Sequence, residues 1–343
     1  MSLSLFSISI VAIVLIFQLS GCNSGGADPA VETPDNANAL FVVDTGHGVI
    51  AAFPFVLPTT SAGFTGNVLS MQRGIGSGIA YDESRDELYV TAGSVFTSNT
   101  IEVFDQASQR SGSITPARTI VPGIPELSEI QDLALDKEHD TLYVLVSRTY
   151  DGAIAVFNSV SQLKGAVSPN RLVTEIGRGN FAIDFKRSIL YSKNETIVGG
   201  TIHAFPNVDT LDGRLSYANV RMLLLQGTLN ISGLSVDSVH DRLYAAEEEH
   251  GVRIIEGAST AGFIYGTVPN FIYIDAPLIH LPEAGFDHNR LAYDPNNDRL
   301  YAGFGQIGYT VNSISALGSG NTSTSALKVI APDGTVISGF AFP

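Results

Sequence analysis

The chain has 343 residues, with 34 acidic side chains against 19 basic ones and a formal net charge of −15. That balance excludes a protein that holds nucleic acid or an anionic lipid surface by charge, because both need clustered Lys and Arg. A single cysteine excludes an internal disulfide.

Leu5 to Leu19 is an apolar run of 15 residues. A comfortable membrane-spanning helix needs roughly 20, so the run suits the core of a signal peptide. It leads into Leu19-Ser20-Gly21-Cys22, which resembles a bacterial lipobox. The resemblance implies that residues 1–21 are removed and that Cys22 is acylated and becomes the new N-terminus. An uncleaved membrane anchor is the other reading. Either way the rest of the chain is expected outside the cytoplasm. Asn23, rather than Asp, follows the cysteine, which by the lipoprotein sorting rule implies the outer membrane.

Residues 22–38 read as the lipidated cysteine and a flexible tether, with Gly25, Gly26, Pro29 and Pro34 and little apolar content. Residues 39–343 carry a repeated phrase. Ile79-Ala80-Tyr81-Asp82 is followed six residues after the Asp by Leu88-Tyr89. The phrase returns at Asp136 with Leu142-Tyr143, Asp184 with Leu190-Tyr191, Asp237 with Leu243-Tyr244, and Asp294 with Leu300-Tyr301. A repeat near fifty residues points to a repetitive β architecture. Before each Asp, large apolar residues alternate with a small one (Ala80, Ala134, Ala182, Ser235, Ala292). Period two marks a strand, and apolar residues on both faces mark a buried one. The Asp-x-x-x-Asp pairs (Asp82/Asp86, Asp136/Asp140, Asp237/Asp241, Asp294/Asp298) are expected to cap tight turns.

A third strand is predicted at Ile101–Phe104, Ile154–Phe157, Ile202–Phe205 and Val252–Ile255. A fourth is suggested by Ile114–Ile120 and Val167–Val173, where Pro116 and Pro169 fit an outer edge. Four antiparallel strands per repeat describe a propeller blade. The N-terminal repeat, Leu40–Val43 and Ile50–Phe53, lacks an inner strand. The C-terminal Ile337-Ser338-Gly339-Phe340-Ala341-Phe342-Pro343 resembles Ile231-Ser232-Gly233-Leu234-Ser235-Val236-Asp237 and can supply it. The expectation is an all-β, six-bladed β-propeller whose first blade is closed by the C-terminal strand. The third strand of the last blade is not placed, because Ser313 to Ser325 is rich in Ser and Gly.

The phrases Ala-Tyr-Asp-x3-Asp-x-Leu-Tyr-Val and Ile-Thr-Pro-Ala-Arg-Thr-Ile resemble bacterial β-propellers of the NHL and YVTN repeat type, over about residues 39–343. These repeats imply the fold and leave activity open. Propellers bind at the axial mouth, where loops enter the inner strands and join second to third strands. Asn180, Asn230, Glu247, His250, Asp287 and His288 are the polar candidates there. Carboxylates with Asn suit calcium, and His suits a transition metal. No catalytic motif or nucleophile–base pair is legible, so no cofactor is predicted, with calcium as the one possible ion. The resulting expectation is a monomeric cell-envelope lipoprotein, held to the membrane by its lipid anchor. Its propeller binds or scaffolds an envelope protein or glycan and no nucleic acid. The alternative is a metal-dependent hydrolase of the gluconolactonase or lactonase kind.

Overall fold

A computed structural model describes residues 39–44, 48–54, 67–71, 74–93, 99–148, 152–177, 180–194, 201–216, 220–224, 231–247, 251–261, 271–274, 290–295, 298–304, 307–312, 321–324, 327–330 and 337–341. The candidate signal peptide and tether, Cys22 included, lie outside the described residues. The described chain is all-β and arranged as a β-propeller. Its only helical turns are three short 3-10 segments, Ala107–Gln109, Val160–Gln162 and Val208–Thr210.

The strands group into sheets that follow one another along the chain. The first joins Ile337–Ala341, Ala39–Asp44, Val49–Pro54 and Asn67–Met71. The second is Ile75–Asp82, Glu87–Ala92, Thr100–Asp105 and Arg118–Pro122. The third is Leu127–Asp136, Thr141–Arg148, Gly152–Asn158 and Arg171–Ile176. Phe181–Asp184, Ile189–Asn194, Thr201–Pro206 and Arg221–Leu224 make the fourth. Ile231–Asp237, Arg242–Glu247, Gly251–Glu256 and Phe271–Ile274 make the fifth. The last holds Arg290–Asp294, Arg299–Phe304, Ile307–Asn312 and Leu327–Ile330, so its third strand is Ile307–Asn312. Within each sheet these neighbours pair antiparallel, as Ile79↔Val90 and Val90↔Glu102 do in the second.

The phrase that repeats along the chain explains the core. Every residue of Ile75–Asp82 is buried, as the two-faced apolar pattern requires. Second-strand aromatics Phe41, Tyr89, Tyr143, Tyr191, Tyr244 and Tyr301 are all at most 2% exposed, and the first five pack against the sheet that follows. Tyr143 and Ile154 of the third sheet meet Phe181, Leu190 and Phe205 of the fourth in one cluster. Small residues keep neighbouring inner strands close. A Cβ on Gly78 would stand 2.9 Å from Thr91 Cγ2 and 3.1 Å from Leu133 Cγ of the next sheet.

The fourth-strand expectation is corrected. Ile114–Ile120 and Val167–Val173 are not single strands. Gly112–Ile114 runs parallel to the outer strand of the preceding sheet, with Leu69↔Gly112 and Met71↔Ile114. Arg118–Pro122 instead completes its own sheet. The chain crosses between sheets at Pro116, whose ring removes a ladder donor and biases the preceding residue to extended backbone. The next residue rejoins the home sheet through Ala117 N to Val103 O at 2.8 Å. The second copy behaves alike. Gly165–Val167 lies along Ile120–Pro122, and Asn170 N returns to Val156 O at 2.8 Å. Gly213–Arg214 on Val173–Thr174 and Asn321–Thr324 on Phe271–Ile274 repeat the crossing. Each parallel strand satisfies edge groups that an outer strand otherwise presents to water.

Candidate functional site

Two of the predicted mouth residues fall among the described residues. Asn180 precedes the inner strand Phe181–Asp184 and is 4% exposed. Its carbonyl accepts Lys193 N at 3.3 Å. Glu247 ends the second strand Arg242–Glu247, with its backbone opposite Ile231 and Gly251. Asn230, His250, Asp287 and His288 lie outside the described residues.

Around the mouth ends of the strands the described polar groups serve the fold. Ser77 Oγ donates to Gln131 O at 2.7 Å, tying the second sheet's inner strand to the third's. Thr91 Oγ1 accepts Gly78 N at 3.0 Å. Asp44 and Lys193, 2% and 3% exposed, are both engaged within the fold. Burial of such charges is tolerated because they are partnered. Among the described residues no group of three His, Cys, Asp or Glu side chains could hold a metal ion.

The opposite rim is built from the aspartates of the repeat. The first Asp of each phrase is buried and closes a turn. Asp82 Oδ1 accepts Ser84 N and Arg85 N at 3.0 and 3.3 Å. Asp136 and Asp237 accept the equivalent pairs of N–H groups. In four of the five phrases the residue three beyond the Asp is an arginine or histidine whose side chain meets its other oxygen: Arg85, His139, Arg187 and His240. Burial pushes the Asp82 carboxyl up, but the Ser84 and Arg85 hydrogen bonds outweigh it and hold it below its ordinary value. The Asp136 hydrogen bond raises the exposed His139 imidazole. The aspartates are turn caps, as expected.

The second Asp of the phrase adopts a positive φ of 52° at Asp86, 49° at Asp140 and 58° at Asp241, which Asp tolerates better than most residues. Each grips a 3-10 turn or its equivalent in its own repeat. Asp86 accepts Ser108 N and Ser108 Oγ at 2.8 and 2.6 Å. Asp140 grips Ser161 and Asp241 grips Ser259 in the same way.

An arginine then reaches from each of the second, third and fourth sheets to the next. Arg118 Nη1 donates to Val160 O and Leu163 O at 2.9 and 3.1 Å. Arg171 Nη1 donates to Val208 O and Leu211 O, both at 2.8 Å. Arg221 Nη1 donates to Ala258 O and Ala261 O at 3.2 and 2.9 Å. The guanidinium lies over the second-strand tyrosine, 5.4 Å from the Tyr89 ring centroid and 6.0 Å from that of Tyr143. Sequence reasoning missed this clasp. Its signal was Pro116-Ala117-Arg118 and Pro169-Asn170-Arg171, read only as strand.

Between the third and fourth sheets this rim opens into a cleft of about 470 Å3, lined by Asp136, His139, Thr141, Tyr143, Asn158, Ser159, Arg171 and Asp209. Its chemistry is polar, with one guanidinium, a phenol, an amide and an exposed imidazole. Such a set suits recognition of a small polar ligand.

No protein-family model matches the chain. No curated protein matches it either. Among solved structures it is similar to a chain in the crystal structure of the nidogen/laminin complex. The two share 14% identity and a TM-score of 0.56, over 89% of this chain and 97% of that one. At that identity the likeness supports the β-propeller fold and nothing finer.

Proposed function

We propose that the chain is a cell-envelope lipoprotein whose six-bladed β-propeller binds a protein or glycan partner at its axial mouth. The observation that carries the binding reading is the propeller arrangement together with its structural neighbour, a chain taken from a complex between two proteins. The six-blade ring is supported by the pairing of Phe41↔Ala341 and Val42↔Phe340. It is supported further by contacts of Ile337–Ala341 with both Ile75–Asp82 and Arg290–Asp294, the inner strands on either side. The envelope location rests on the lipobox-like Leu19-Ser20-Gly21-Cys22. Domain limits follow as signal peptide 1–21, lipidated tether 22–38 and propeller 39–343.

A Cys22→Ala variant tests the anchor. It should leave the membrane fraction and fail to take up labelled fatty acid. Fractionation like that of the unchanged protein overturns the lipoprotein reading. Alanine substitutions at His250 and Asp287–His288 test the mouth. They should weaken capture of the envelope partner identified by crosslinking in intact cells, without lowering the melting temperature.

A further inference from the structure

Three successive seams between sheets carry the same tyrosine and arginine; the third-to-fourth seam has Asp209 where the other two have Ser161 and Ser259, and one further position differs in all three. That further position is the residue two before the tyrosine, on the same side of the second strand. Between the second and third sheets it is Glu87. Its Oε2 accepts Tyr89 Oη at 2.7 Å and Arg118 Nη2 at 2.7 Å. A carboxylate thus completes the Tyr–Arg pair, and charge-assisted bonds of this kind are the strong ones. Between the fourth and fifth sheets the position is Ile189, 5% exposed, an apolar plug beside Tyr191.

Between the third and fourth sheets the position is Thr141. Its hydroxyl is turned to its own turn, donating to His139 O at 3.0 Å. Arg171 keeps both carbonyl bonds of the clasp through Nη1. No carboxylate of the described residues pairs with its remaining fork. This is the seam where the cleft of about 470 Å3 opens, with Thr141, Tyr143 and Arg171 in its lining.

We propose that this cleft binds a small carboxylate of the acidic-sugar class, whose carboxylate takes the place that Glu87 fills in the preceding seam. Arg171 and the Tyr143 hydroxyl receive the carboxylate. The remaining lining sets the rest of the ligand. Asp209 accepts hydroxyl protons, Asn158 donates and accepts, and the exposed His139 edge borders the entrance. Asp136 is turned to two backbone N–H groups and His139, which offset part of its charge toward the ligand. The cleft's volume lies within the range of small-molecule sites, roughly 300–1,000 Å3. The inference is independent of the axial mouth, which lies at the other end of the strands.

The test is titration of the full chain with sodium galacturonate, read by ligand-observed NMR at constant ionic strength, with galactose as the neutral control. Saturable binding of galacturonate is expected, with galactose at least tenfold weaker. Thr141→Glu supplies the missing carboxylate from within the chain. It should abolish galacturonate binding while keeping or raising the melting temperature. Arg171→Lys keeps the charge but loses the planar fork, and it should weaken binding at least tenfold. Galacturonate binding that Thr141→Glu and Arg171→Lys leave unchanged overturns the proposal. So does equal binding of galactose, or absence of saturable galacturonate binding to the wild-type chain. If Thr141→Glu fails to fold, Arg171→Lys decides alone.

Discussion

Ser188 and Asp209 make, in the fourth sheet, the hydrogen bond that Asp86 and Ser108 make in the second, with donor and acceptor positions exchanged. Ser188 Oγ donates to Asp209 Oδ2 at 2.5 Å, and Ser188 holds the same positive φ, 54°, as the aspartates it replaces. Its carbonyl accepts Val208 N, as the Asp86 carbonyl accepts Ala107 N. The repeat therefore preserves the bond rather than either residue.

Ser188→Asp alone sets two carboxylates against each other and should cost about 1 kcal/mol. Adding Asp209→Ser should recover most of that loss, because it recreates the Asp86–Ser108 arrangement. A double-mutant cycle by urea denaturation measures the coupling. Additive losses would show that the exchange is incidental.

The arginine clasps should differ in strength. Arg221→Ala removes two bonds to carbonyls and should cost about 2 kcal/mol. Arg118→Ala also strands the half-buried Glu87 carboxylate and should cost about 3 kcal/mol. The side chains of that pair are 13% and 16% exposed, so solvent screens it only partly. Equal melting temperatures for the two variants would contradict the ordering.

His203 ties stability to pH. It is buried at 5% exposure, and burial pushes its imidazole below the ordinary 6.5. As pH falls through that value the unfolded chain takes up a proton before the folded one, so stability is lost on acidification. His139 acts oppositely. Its raised value favours the folded state below about 6.5, and that gain fades as pH rises through the folded value. Full exposure keeps the His139 effect small. His203→Gln should flatten the fall in melting temperature between about pH 7 and about pH 5. An unchanged profile would remove His203 as the cause.

Ending the chain at Thr335 should destabilise it by more than about 4 kcal/mol, because Ile337–Ala341 then no longer pairs with Ala39–Asp44. Calorimetry of the shortened chain checks this. A normal melt would sink the six-blade ring.

Much of the fold was legible because it is periodic. Ile79-Ala80-Tyr81-Asp82 announces a strand, its two buried faces and the turn that ends it, all through local chemistry. The crossing strands were not legible. Ile114 and Ile120 share one apolar pattern, and only the position of Pro116 separates the sheet each joins. The Arg118 clasp was hidden for a related reason: its partners are the carbonyls of Val160 and Leu163, which carry no side-chain signal. Asn180 was visible as a polar residue at a strand entrance. Sequence cannot tell that its exposure is only 4%, since that depends on how Lys193 and the neighbouring strands close over it.

The parallel strands all point one way. Ile114 seals the sheet before its own, as do Val167 and Arg214. A chain that emerges from its N-terminus therefore finishes the first, second, third and fifth sheets only after most of the next has been delivered. The first sheet waits longest, since one edge needs Gly112–Ile114 and the other needs residues 337–341. An arrested or clipped chain therefore leaves the first sheet's inner edge unsealed as well as the edge at its growing end. Those edges would be the place for a chaperone or protease to distinguish an unfinished molecule from a finished one.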